Sequence, residues 1–415
     1  MKTVGLYSFN DIPSMHDFWR SCGIDRLEFW VLDVKAMSEG QLEDYCTRMA
    51  KEIHSAKEAG FEVWVGFQTN FKVSEGDTPW YFSLFHPRNQ VEMEAREAIL
   101  RQSVAACGEA DGLMMFGADP GGITEDLGEG KLEDYLLLTE RFVQVFRQVL
   151  PEKPIVINPW ALSAFATPDY TPWQACFWQR ESEMLRGLLA DENTVNASVG
   201  VELPCHDYYR ALTLRCYEQE QVQPDPFPRK EELETLKQKG VERIWSWPYF
   251  LLDECDDGDG AGGGVQLETR YIHQLLTTLR QLGFNGVTGN WSGGGAYTRA
   301  VNFYAFARMA KDASLTAQKA IGEYARLLVE EEWAATVEGV LRFIENDSNW
   351  HKKMPASHQL PAFDTPFASS AEALAALNKV QWREKAPGEF RLPEAPEAFG
   401  KRLKLRLEAM LQKEG

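Results

Sequence analysis

The residues that could do chemistry in this chain are carboxylates, amides and aromatics that follow short apolar runs. Asp119 follows GLMMFGA and leads into Pro120, Gly121 and Gly122. Glu202 follows ASVGV directly, and His206, Asp207 and Tyr208 come just after it. Asp253 and Glu254 follow a run holding Trp245, Trp247 and Tyr249. Glu28 with Trp30, Asn158 with Trp160, and Asn290 with Trp291 end three further runs. Paired carboxylates can divide the work at a glycosidic bond: one protonates the leaving oxygen, and the other activates water or attacks carbon. Amide side chains donate and accept at once, which suits hydroxyls, and indole rings offer flat apolar faces to sugar C–H groups. On this reading Asp119 is the leading catalytic carboxylate and Glu202 its partner, with Asp253 or Glu254 in reserve. Glu28, Trp30, Asn158, Trp160, His206, Asp207, Tyr208, Trp247, Asn290 and Trp291 are the candidates for holding substrate, with Trp80 a further rim aromatic.

Each candidate has a plainer reading. Asp, Pro and Gly are turn formers, so the Asp119 segment can be a turn alone. Glu202 inside an apolar run must find partners or water, and an ion pair would satisfy it. His206 and Asp207 can cap a helix, and Trp245 and Trp247, two apart, can be core. The segment from Asp253 to Gly260 holds five carboxylates in eight residues. It lacks the spacing of a calcium loop, because Ala261 stands at position five when Asp257 is taken as the first ligand. No metal and no cofactor are expected.

The elements that must position these residues are read from hydrophobic period. Eight short β-rich runs recur: Val4–Phe9, Arg26–Leu32, Glu62–Gln68, Gly112–Ala118, Ile155–Trp160, Ala197–Leu203, Arg243–Trp247 and Gly286–Asn290. Between them, Ile12–Ser21, Gln41–Ala59, Val91–Ala106, Leu132–Val149, Phe177–Leu189, Arg229–Lys239 and Leu267–Leu282 are expected to be helices, most of them repeating apolar residues at three and four spacing. In KEAGFEVWVGF, KQKGVERIWSW and RQLGFNGVTGN a glycine closes a helix just before a strand. Alternating strands and helices imply parallel βαβ units. Eight of them predict an α/β chain folded as a (β/α)8 TIM barrel, in which reactive groups sit where the strands end. The barrel is expected over residues 1–310 and a helical C-terminal extension packed on it over 311–415. After the eighth strand Thr298–Ala310 reads as a helix, and in the extension Leu315–Trp333, Ala371–Lys379 and Pro396–Lys413 do, with a cap at Ser314 or Thr316 and a loop over His351–Phe367.

Composition narrows the function further. With 44% hydrophobic and 25% charged residues the chain reads as an ordinary globular protein. A net charge of −19 argues against nucleic acid and anionic membranes as partners. The seven scattered cysteines form no CxxC and read as free thiols. No run approaches the roughly 18 apolar residues a membrane span needs, and MKTVGLYSFND has no apolar leader, so a cytoplasmic place is expected. There is no GxGxxG after the first strand, no P-loop, no HExxH and no GxSxG. Only His206 ends a strand among the histidines, which counts against a zinc hydrolase.

The segment from Gly283 to Leu328 resembles the last barrel strand and following helices of α-glucuronidase-like glycoside hydrolases. The resemblance rests on Asn302–Arg308 (NFYAFAR) and on Leu315, Thr316 and Ala317 with the later Glu323–Leu327 (EYARL). It covers about a tenth of the chain and carries mainly packing residues. It implies a carbohydrate-active barrel with a carboxylate acid and base. Barrel hexosaminidases place an acidic pair after strand 4, whereas here Pro120 follows Asp119. The Asn-Glu of many retaining barrel glycosidases is Ala118 and Asp119 in this chain. The expected activity is hydrolysis of glycosidic bonds in short oligosaccharides. A non-catalytic carbohydrate-binding barrel and a metal-dependent sugar isomerase or epimerase are the alternatives.

Overall fold

The computed structural model describes residues 1–8, 11–31, 39–68, 88–116, 132–159, 185–190, 198–204, 230–248, 265–290, 297–347 and 359–414. Among them eight strands form a closed, wholly parallel barrel in sequence order. They are β1 (Thr3–Ser8), β2 (Arg26–Val31), β3 (Glu62–Gln68), β4 (Gly112–Phe116), β5 (Ile155–Asn158), β6 (Val199–Pro204), β7 (Ile244–Trp247) and β8 (Gly286–Asn290). The ring closes where β1 pairs with β8, from Thr3 opposite Gly286 to Tyr7 opposite Asn290. The α/β class and the (β/α)8 barrel with C-terminal helices expected from sequence are therefore observed, with strand limits within two residues of the periodic runs.

Helices return the chain to the start of each next strand. Their amphipathic stripes explain why they pack there. In Thr269–Leu282 the buried Ile272, Leu275, Leu276 and Leu279 recur at three and four spacing along one face. The predicted glycine stops are real: Gly60, Gly240 and Gly283 have φ of 85°, 72° and 87°. A side chain would strain that left-handed backbone, and glycine adopts it freely.

Strand pleating divides the apolar residues into two sets. Outward residues such as Leu6, Leu27, Val65, Met115, Ile157, Val201 and Val287 join the helices in one large buried cluster that continues to Met410. Inward residues Trp64, Met114, Val156 and Trp245 form a separate cluster inside the barrel. The two indoles meet edge to face, their ring centroids 4.8 Å apart. They fit because glycines face them. A β-carbon at Gly112 would lie 2.4 Å from Trp64, and one at Gly286 would lie 2.4 Å from Trp245.

The extension differs from expectation at one place. The stretch Leu315–Trp333 is not one helix but the whole of one, Ala317–Leu328, and the start of another, Glu331–Asn346. Val329 and Glu330 are extended between them, and Val329 bridges to Trp382. Arg383 holds the break from both sides, its backbone N–H donating to Leu328 O and its Nε to Val329 O. These long-range partners outcompete a helical continuation that the local sequence favours. Thr316 is the cap, its Oγ1 accepting from Lys319 N. Ser370–Leu377 and Pro396–Glu414 are helical as read. Buried Glu345 joins the extension to the barrel helix Thr269–Leu282. It accepts from Thr269 Oγ1 at 2.7 Å, Arg270 N at 2.9 Å and Arg270 Nε at 3.2 Å. Arg270 in turn donates to Pro361 O at 2.7 Å. No helix among the described residues is long and apolar enough to cross a membrane.

Candidate active site

The polar centre of the barrel is built by parity. Residues two apart on a strand face the same way, so Arg26 and Glu28 both enter the barrel from β2. Glu202 on β6, Thr288 on β8 and Asn158 at the end of β5 meet them there. All five are fully buried or nearly so. Thr288 Oγ1 stands between the two carboxyl groups, 2.8 Å from Glu28 Oε1 and 2.5 Å from Glu202 Oε1. Arg26 Nη2 lies 2.5 Å from Thr288 Oγ1 and 2.7 Å from Glu28 Oε1, but 3.7 Å from Glu202 Oε1. Asn158 Nδ2 donates to Glu202 Oε2 at 3.2 Å. The Arg26 guanidinium carbon also sits 3.5 Å from the centre of the Trp245 ring, where the ring's negative face attracts it.

Two acids and one base in a dry interior cannot all keep their charges at low cost. Burial pushes the Glu28 carboxyl above its ordinary value, with Arg26 and the Thr288 hydrogen bond pulling it back. Burial also pushes the Glu202 carboxyl well above its ordinary value, and the neighbouring Glu28 charge adds to the push. Arg26 is an ångström closer to Glu28 than to Glu202. Several polar atoms here have no hydrogen-bond partner among the described residues: Arg26 Nε and Nη1, Glu28 Oε2 and Asn158 Oδ1.

Towards the strand ends an aromatic layer follows. Trp247, two residues beyond Trp245 on β7, meets the ring of Tyr7 at 5.6 Å and that of Phe116 at 5.5 Å, both edge to face. Tyr7 pairs in register with Glu28 on one side and with Asn290 on the other.

Of the residues proposed from sequence, Glu28, Glu202 and Asn158 are thus brought into one hydrogen-bonded group. Trp247 lies in the layer beside it. Trp30 lies in β2 and Asn290 ends β8. Asp119, Trp80, Trp160, His206, Asp207, Tyr208, Asp253, Glu254 and Trp291 lie outside the described residues. Arg26 and Thr288 were not singled out from sequence. Parity was the available signal: Arg26 stands two residues before Glu28, and Thr288 two before Asn290. Among the described residues no group of three or more His, Cys, Asp or Glu is placed to hold a metal ion.

No protein-family model and no curated protein matches the chain. Solved structures do. A GH138 enzyme targeting pectin rhamnogalacturonan II superposes with a TM-score of 0.54 at 11% identity, over 99% of this chain and 57% of that one. The match therefore takes in the C-terminal helices, and this chain spans little more than half of that enzyme. An endo-β-mannanase/endo-β-glucanase from Prevotella bryantii gives a TM-score of 0.49 at 10% identity, over 75% of this chain and 49% of that one. A D-psicose 3-epimerase gives 0.38 at 12% identity, over 75% and 98%. At such identities the likeness speaks to the fold.

Proposed function

We propose that this chain is a glycoside hydrolase acting on short oligosaccharides by carboxylate acid and base catalysis. The observation that carries the reading is Glu202, a fully buried carboxyl whose pKa burial raises, set between an amide, Asn158, and a hydroxyl, Thr288, beneath strand-end aromatics. A general acid must keep its proton near neutral pH, and burial is the usual means. Asp119, after β4, is the leading catalytic carboxylate and Glu202 its partner, with Asp253 or Glu254 after β7 in reserve. Glu28, Asn158, His206, Asp207, Tyr208 and Asn290 hold the sugar, and Trp30, Trp160, Trp247 and Trp291 wall the cleft. The α-glucuronidase-like segment over 283–328 and the glycoside hydrolases among the structures of like fold agree with this reading. The charge of −19 fits a substrate without phosphates, and a cytoplasmic place suits short sugars.

The test is turnover of aryl glycosides by the protein and by Asp119→Asn. The variant is expected to lose turnover while its circular dichroism and melting stay unchanged. Full activity in the variant would refute the assignment of Asp119.

A further inference from the structure

We infer that the barrel interior stores one proton, that it resides on Glu202, and that Arg26, Glu28 and Thr288 are positioning residues that keep it there. The argument is a count of hydrogens and does not depend on the sugar chemistry proposed above. Thr288 Oγ1 has three close polar neighbours: Arg26 Nη2 at 2.5 Å, Glu28 Oε1 at 2.8 Å and Glu202 Oε1 at 2.5 Å. A hydroxyl offers one hydrogen and two lone pairs. Arg26 can only donate, so it occupies one lone pair. The hydroxyl hydrogen serves one carboxylate. The third contact then sets oxygen against oxygen with nothing between them, unless the remaining carboxyl carries a proton of its own.

The same geometry says which carboxyl holds it. Nη2 has two hydrogens and two acceptors, Thr288 Oγ1 and Glu28 Oε1. A guanidinium bonds an ionised carboxylate more strongly than a neutral acid, so Glu28 keeps its charge. Glu202 Oε1 then donates into the free lone pair of Thr288, and Thr288 donates to Glu28. Glu202 Oε2, now a carbonyl oxygen, accepts from Asn158 Nδ2. Each of these hydrogen bonds then has one hydrogen and one lone pair, and the net charge of the group is zero. Arg26 and Glu28 are the charged groups facing Glu202 among the described residues. The acceptor Asn158 Oδ1 is left over, so the proton on Glu202 also decides which end of that amide remains for a ligand.

The test is infrared spectroscopy of the full chain at pH 8, with and without 13C-glutamate labelling. The wild type is expected to show a carboxylic acid C=O band that shifts on labelling, and Glu202→Gln is expected to lose one carboxyl's worth of it. Gln reproduces both polar contacts of the neutral acid, so this variant is expected to fold. Thr288→Ser is expected to keep the band, and Thr288→Val to change the pH at which it bleaches. Absence of a labelled acid band in the wild type overturns the inference whatever the variants do, as does a band that persists undiminished in Glu202→Gln. An unchanged bleaching pH in Thr288→Val removes Thr288 from the network. None of these readouts uses glycoside turnover, so a failed glycosidase assay leaves them intact.

Discussion

Arg26 occupies the space where Gly5 has no side chain: a β-carbon at Gly5 would stand 2.8 Å from Arg26 Nε and 2.9 Å from Nη2. The guanidinium is fully buried and bridges Glu28 and Thr288. It cannot move aside without breaking both contacts. Gly5→Ala is therefore expected to cost about 1–3 kcal/mol, the usual range for overpacking a tight interior. Guanidinium-induced unfolding measures it, and an unchanged midpoint would show that Arg26 is not fixed.

Glu28 and Glu202 are expected to respond unequally to the same change. Glu28→Gln takes the counter-charge from a buried guanidinium, and breaking such a pair costs about 3–5 kcal/mol. Glu202→Gln replaces a neutral acid with a neutral amide of the same shape, and its cost in stability is expected to stay below about 1.5 kcal/mol, as for other size-conserving swaps. Urea melts of the two variants at pH 7 decide it. The reverse order would place the proton on Glu28.

The pH dependence follows with a definite sign. The folded-state pKa of Glu202 is raised above its unfolded value near 4.5. Its contribution is therefore fully present below that value and is lost as pH rises towards the folded pKa. Over this window the folded chain binds a proton that the unfolded chain does not, and stability falls by about 1.4 kcal/mol per pH unit from this group. Glu202→Gln lacks this slope. The stability of the wild type relative to the variant is expected to decline between pH 5 and pH 8, measured by unfolding at each pH. A constant difference would mean that Glu202 is ionised throughout.

The extension is tied to the barrel through Glu345, which accepts from Thr269 and twice from Arg270. Glu345→Ala leaves Arg270 buried with one carboxylate fewer and is expected to cost about 3–5 kcal/mol. Differential scanning calorimetry is expected to show one transition moving down as a whole. A melt that splits, with only the extension lost early, would mean that the tie is local.

Much of this fold was legible because its signals are local. Eight apolar runs, glycine helix stops such as Gly60 and Gly283, and three-and-four spacing in the helices read directly as βα units. The helix break at Val329 was not legible, because its cause lies in Trp382 and Arg383, more than fifty residues on. The site divided in the same way. Glu28, Glu202 and Asn158 were found because a polar residue in an apolar strand stands out by type. Arg26 was passed over because it opens its strand, where an Arg reads as solvent-facing, and Thr288 because threonine is ordinary in strands. Both became meaningful only when closure of the ring set β2 and β8 across from β6. The roles given to Asp119, Asp253 and Glu254 rest on their places after β4 and β7.

The fit of Trp64 over Gly112 and of Trp245 over Gly286 makes each pair a single unit of volume shared by two strands. Neither member can drift in size alone: bulk gained at the glycine must be given up by the indole. Related chains are expected to exchange these positions jointly. A lineage that filled position 286 would also have to rebuild the face of position 245 on which the Arg26 cation rests.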